Sequence, residues 1–130
     1  MDIVVVDDDH AGLELLRMIL QAAGHSVRGS RTAAGAWELL AQSPPDVLVT
    51  DLMMGLDRQD GLRLIGQVRA RPEFAGMPVV AVTGVTSAHD WERVRAAGAD
   101  ACLSKPFDVA EFLQVLRDVT PPTPSAGAAG

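Results

Sequence analysis

The chain has 130 residues, enough for one domain with a real core and too few for two. Hydrophobic residues make up 48% of it and the mean hydropathy is +0.16, which excludes a disordered chain. A formal net charge of -6 and a sequence pI of about 4.8 argue against a nucleic-acid-binding surface, because neutralising phosphates needs clustered Lys and Arg. The single cysteine, Cys102, excludes an intrachain disulfide framework and fits a reducing compartment. Met1-Asp2-Ile3 carries no basic n-region, and no apolar run approaches roughly 18 residues. Neither a signal peptide nor a transmembrane helix is expected, and the expected location is the cytoplasm.

In chain order, Ile3-Val4-Val5-Val6 is a β-branched run with no polar alternation, the pattern of a strand buried on both faces. It stops at Asp7-Asp8-Asp9, and Asp9 is placed to cap a helix whose apolar residues Leu13, Leu16, Ile19 or Leu20 and Ala23 recur at helical spacing. Gly24 ends that helix in the usual glycine position. A short, weaker strand is expected over 25–29. A second helix is expected over 32–42, with Ala33, Ala36, Trp37 and Leu40 on one face. Pro44-Pro45 separates it from Val47-Leu48-Val49, another buried-type strand, which ends abruptly in Asp51. A polar, glycine-containing loop follows over 55–59. Asp60 is then expected to cap a third helix with Leu62, Ile65 and Val68 inward, stopping before Pro72.

Residues 78–84 read as a fourth buried strand, ending at Thr83-Gly84. Ser87, with Asp90 three residues on, is expected to cap a fourth helix that runs to Ala97 and is closed by Gly98. Ala101 to Ser104 form a short fifth strand before Lys105-Pro106. Asp108 with Glu111 resembles a capping box for the last helix, whose core face is Phe112, Leu113, Leu116 and Val119. Residues 1–119 are thus expected to form the domain. The Pro-, Ala- and Gly-rich residues 120–130 are expected to be a flexible tail or linker stub.

A β-α unit repeated five times implies an α/β fold: a parallel sheet with right-handed crossovers and helices on both faces. All C-terminal strand ends of such a sheet lie on one edge, where open α/β sheets place their ligands. Asp7 and Asp8, Asp51, Thr83 and Lys105 then converge from four strand ends. Crowded carboxylates repel, and a hard divalent cation such as Mg2+, which takes oxygen ligands, removes that problem. Asp51 becomes a candidate nucleophile of the aspartyl-phosphate kind. Phosphoryl transfer asks mainly that the phosphoryl oxygens be neutralised and the attack held in line. The metal and the Lys105 ammonium supply the positive charge, and the Thr83 hydroxyl a hydrogen-bond donor.

Four motifs together carry a family resemblance: Val6-Asp7-Asp8-Asp9, Asp51-Leu52-Met53-Met54, Val82-Thr83-Gly84, and Ala97-Gly98-Ala99 through Ser104-Lys105-Pro106-Phe107. Over about residues 1–119 the chain resembles the receiver domain of bacterial two-component response regulators. The resemblance implies a (βα)5 flavodoxin-like three-layer sandwich with strand order 2-1-3-4-5. It implies phosphorylation of Asp51 by a histidine kinase or histidine phosphotransfer protein, and a switched partner surface on helix 4, strand 5 and helix 5. It also implies Mg2+ held by Asp8, Asp51 and the main-chain carbonyl of Met53, with Asp7 acting through water, and a cis Lys105-Pro106 bond. Three positions depart from the family pattern. Gly55 stands where a proline is usual, Asp60-Gly61 follows a loop two residues longer, and Cys102 replaces an aromatic.

Alone, Asp7, Asp8 and Asp9 are explained by an acidic first turn opposing a helix dipole, and Lys105 by a solvated surface position. Only their combination points to chemistry. His10, His25 and His89 have no ligand spacing, and Met53 and Met54 read as packing. Trp91 is either core or partner surface, and Cys102 reads as a small buried hydrophobe. Two other functions compete with a signalling phosphoacceptor that is not an enzyme in its own right. One is a phosphorylation-independent interaction domain, motivated by Cys102 and the altered loop. The other is a haloacid-dehalogenase-type phosphohydrolase using Asp7 and Asp9, against which stand Ala11 and the lack of room for a cap insertion.

Overall fold

Ile3, Val4, Val5 and Val6 are all fully buried, and burial on both faces puts their strand, β1 (Asp2–Val6), inside a sheet. The computed structural model describes residues 1–84 and 88–120. Beside β1 lie β2 (Ser26–Ser30) and β3 (Val47–Asp51), followed outward by β4 (Val79–Thr83) and β5 (Ala101–Ser104). The order is β2-β1-β3-β4-β5 and every pairing is parallel. This is the flavodoxin-like order expected above. The helices are α1 (His10–Ala22), α2 (Ala33–Gln42), α3 (Asp60–Arg69), α4 (Ala88–Ala97) and α5 (Val109–Val119).

Strand side chains alternate between two cores, as the pleat requires. Val4, Val6, Leu48, Val79 and Ala81 pack with Leu40 of α2, Leu64, Ile65 and Val68 of α3 and Val94 of α4. Ile3, Val5, Val47, Val49, Val80 and Val82 pack with Leu13, Leu16 and Leu20 of α1 and Phe112 and Leu116 of α5. The helices therefore lie two and three to a face, a three-layer sandwich. Each fully buried Val, Leu or Ile contributes about 1.5–3 kcal/mol of transfer free energy, so the register that buries them is strongly enforced.

Local chemistry sets the helix ends. The Asp9, Thr32 and Asp108 side chains accept from the backbone N–H groups of Gly12, Gly35 and Glu111, capping α1, α2 and α5. Gly24 and Gly98 adopt positive φ after α1 and α4. At the far edge, Arg28 pairs with both Asp2 carboxylate oxygens and donates to the last carbonyls around α2, those of Leu39 and Ser43.

Several boundaries differ from expectation. Asp60 is the first residue of α3 and not its cap. Gln59 takes that position without a side-chain bond, and the Asp57 carboxylate receives the Gln59 N–H instead. The inward face of α3 is Gly61, Leu64, Ile65 and Val68, while Leu62 is only half-buried, because the helix phase turns it aside. Ala23 is the exposed C-cap of α1, one step beyond its buried stripe. Strand β2 begins one residue later than expected. A 3-10 turn at Pro72–Phe74, unforeseen in the sequence, buries Phe74 against Trp37 with ring centroids 6.0 Å apart. The expected cap at Ser87 and the tail beyond Thr120 lie outside the described residues.

One glycine fixes how α3 meets β3. A Cβ on Gly61 would collide with the backbone carbonyls of Asp51 and Leu52, whereas one on Gly66 would meet nothing. Gly61→Ala is expected to cost about 1–3 kcal/mol or more, because backbone cannot give way as a side chain can. Gly66→Ala should gain about 0.5–1 kcal/mol from helix propensity and unfolded-state entropy. Urea unfolding of the two variants checks both signs.

Candidate functional site

The strand order reverses between β1 and β3, and in open α/β sheets the crevice at such a point is where ligands sit. The register there is decisive. Val6 pairs with Thr50, so Asp7 comes level with Asp51; Asp51 pairs with Val82, and Thr83 with Ser104. Thr83 and then Lys105 are thereby stepped along the same edge. Asp7 and Thr83 are fully buried and Asp51 is 7% exposed.

Lys105 reaches in from the end of β5. Its Nζ lies 3.5 Å from Asp7 Oδ2 and 3.5 Å from Asp51 Oδ2. The Lys105 backbone N–H donates to the Thr83 carbonyl at 2.7 Å, tying the lysine to the end of β4. Asp7 Oδ1 accepts the Asp9 N–H at 2.9 Å, which leaves Oδ2 buried with no hydrogen bond among the described residues beyond its ion pair. A Cβ on Gly12 would stand 2.7 Å from that oxygen, so glycine at the first turn of α1 keeps the approach open. Asp51 Oδ1 accepts the Met53 N–H at 3.3 Å. The Thr50 hydroxyl donates to the Asp51 carbonyl at 2.9 Å.

Burial pushes the Asp51 carboxyl above the ordinary carboxylate range; the Lys105 ammonium pulls it back down and the Asp7 charge pushes it further up. Asp7, Asp8 and Asp51 each offer an oxygen, all within 4.8 Å of one another. Three hard oxygen donors, one of them buried and lacking a hydrogen bond among the described residues, suit a hard divalent cation such as Mg2+.

The fold thus brings together Asp7, Asp8, Asp51 and Lys105, with Thr83 at the neighbouring strand end. Met53 is half-buried and offers its N–H to Asp51, while Met54 is buried as core. Lys105-Pro106 is cis, as expected. Cys102 is half-buried, and burial raises its thiol pKa against a lowering by Arg95. Two arginines escaped the sequence reading. Arg31 Nε and Nη2 donate to the Asp8 carbonyl at 3.2 and 3.1 Å, and Arg58 Nη1 lies 3.4 Å from Asp8 Oδ2. Position in the sequence gives no sign of the first. The extra length of the loop before Asp60 was the available sign of the second.

Against known families, residues 3–117 match the model of the response regulator receiver domain. The chain belongs to that family. Receiver domains are signalling modules of two-component systems, and relatives of both stand-alone and longer kinds are found. The polar-differentiation response regulator DivK of Brucella ovis is 28% identical over 115 residues, covering 88% of this chain and 92% of that protein. The transcriptional regulatory protein KdpE of Mycobacterium tuberculosis is 36% identical over 115 residues, and the matched part is 49% of its length. The chemotaxis response regulator CheY4 of Vibrio cholerae superposes with a TM-score of 0.84 at 25% identity, covering 91% of this chain and 97% of that one. Among the described residues of this receiver domain, no helix is long and apolar enough to cross a membrane.

The raised Asp51 pKa sets a pH-dependent stability. The folded chain holds a proton on Asp51 more tightly than the unfolded one, so its ionisation opposes folding. That cost is full above the raised pKa and disappears as pH falls through it and below the ordinary value of 3.8. In a chelator at neutral pH, Asp51→Asn is expected to melt at a higher temperature than the native chain. The gap should close in acid, and thermal unfolding across pH measures it.

Proposed function

We propose that this receiver domain, residues 1–119, accepts a phosphoryl group on Asp51 from a phosphohistidine of a histidine kinase or histidine phosphotransfer protein. The observation that carries the reading is the Lys105 ammonium, 3.5 Å from both the Asp7 and the Asp51 carboxylate at the end of three converging strands. An Asp51 oxygen attacks phosphorus, the phosphorus–nitrogen bond of the donor breaks, and the electron pair leaves on the imidazole. The product is an acyl phosphate. Asp8, Asp51 and the Met53 carbonyl would hold Mg2+, with Asp7 acting through water. Bound there, the cation would supply charge to neutralise the phosphoryl oxygens.

This chain's own residues do the rest. Lys105 balances charge that shifts onto the phosphoryl group, and the Thr83 hydroxyl donates to it once it is attached. Desolvation around Asp51 strengthens each of these interactions. Val109 is half-exposed and Leu15 a little more so, in a groove also lined by Asp7, Lys105, Pro106 and Phe107. An apolar face flanking the reactive carboxylate suits a docked helical partner that carries the donor histidine. Phosphorylation would then alter the surface of α4, β5 and α5 that meets a downstream protein, in the cytoplasm.

The test uses a small donor, so that no partner is needed. Acetyl phosphate with Mg2+ should add one phosphoryl group by intact mass, and Asp51→Asn should abolish the product. Lys105→Ala should slow labelling by about 100- to 1,000-fold, the usual scale for removing one positioned transition-state donor. Absence of any product on the native chain would favour a phosphorylation-independent interaction domain, the reading that Cys102 supports. The family match leaves the phosphohydrolase reading without support.

A further inference from the structure

The loop between β3 and α3, whose Leu52 and Met54 are buried in the core, reaches the acidic cluster and α4 through two adjacent side chains. Arg58 extends its guanidinium to Asp8, with Nη1 3.4 Å from Oδ2. Gln59 accepts at Oε1 from Arg93 Nη2, 3.3 Å away on α4, and Arg93 also pairs with Asp90 at 3.6 Å. The acidic cluster and α4 are thus joined through two consecutive residues.

The loop has little slack to absorb a movement between them. The Arg58 N–H donates to the Gly55 carbonyl at 3.3 Å, the Gln59 N–H to Asp57 Oδ1 at 3.1 Å, and the Asp60 N–H to the Met54 carbonyl at 3.0 Å. Arg58 itself sits at φ 61°, a left-handed conformation that few residues other than glycine adopt. That backbone choice directs the side chain of an otherwise half-exposed arginine toward the carboxylates.

We propose that Arg58 is the resident counter-ion of Asp8, that a divalent cation binding the cluster displaces it, and that the Gln59–Arg93 hydrogen bond carries the displacement to α4. The inference rests on the cation-site reading above. A guanidinium and a divalent cation compete for the Asp8 carboxylate, because two positive charges held at one carboxylate repel each other. By linkage, whatever the cation does to the loop, the loop does to the cation's affinity by the same factor. The route is independent of the position held by Cys102.

Mg2+ titration of the full chain tests it, by calorimetry for affinity and by 1H–15N NMR for Arg93. Arg58→Ala is expected to bind Mg2+ about two- to fivefold more tightly, the scale set by a half-exposed ion pair. Arg63→Ala, which removes the same charge from the neighbouring turn of α3 without touching Asp8, should leave affinity unchanged. In the native chain the Arg93 signals should shift with Mg2+. In Gln59→Ala they should stay still although Mg2+ still binds. Equal or weaker binding by Arg58→Ala overturns the proposal, as does equal tightening by Arg63→Ala. Asp8→Asn separates the two levels of failure. If the native chain binds no Mg2+, or Asp8→Asn binds it equally well, the cation-site reading falls and the proposal with it. If binding depends on Asp8 but not on Arg58, only the proposal falls.

Discussion

Asp51 and Asp7 are forced together by a sheet that neither can influence. Their strands are pinned by fully buried valines, isoleucine and leucine on both faces, and a one-residue slip would reverse every one of those side chains. The two carboxylates therefore cannot relax apart. Lys105, anchored by its own backbone hydrogen bond to the end of β4, is the cation placed to offset them both. It does not offset them fully, since burial still holds Asp51 above the ordinary carboxylate range. A site left with surplus negative charge, and with Asp7 Oδ2 buried and lacking a hydrogen bond among the described residues, is prepared for further positive charge. The proposed chemistry follows from that imbalance: a cation and then a phosphoryl group would complete what the fold leaves incomplete.

The same logic gives the small residues near the site their meaning. Gly12 leaves the approach to Asp7 open, and Gly61 lets α3 close on the carbonyls of Asp51 and Leu52. Neither carries chemistry. Both determine how closely the surrounding elements can frame groups that do.

Much of this was legible in the sequence because the signals were periodic or capped. Continuous β-branched runs gave the buried strands, and Asp9 and Asp108 marked helix caps that the structure keeps. Parallel topology then brought Asp7, Asp51, Thr83 and Lys105 to one edge, because every β-α unit returns its strand in the same direction. The strand order itself came from the family resemblance and not from periodicity. What could not be read was non-local or depended on phase. Leu64 and Leu62 are equally apolar, and only the true start of α3 decides which one turns inward. Phe74 is buried by a short turn whose partner, Trp37, lies far off in sequence. Arg58 and Arg31 owe their roles to an Asp8 that lies about 50 and 23 positions away, a pairing that no local pattern encodes.

The claim on which the account turns is that the acidic edge, a divalent cation and a phosphoryl-like group on Asp51 form one unit. Titration of the native chain with beryllofluoride and Mg2+, followed by 1H–15N NMR, measures this directly. The account predicts a saturable one-to-one complex that requires Mg2+, is lost in Asp51→Asn, and shifts the amides of Asp51, Thr83 and Lys105 together with those of α4. No saturable complex, or one that survives Asp51→Asn, would contradict it.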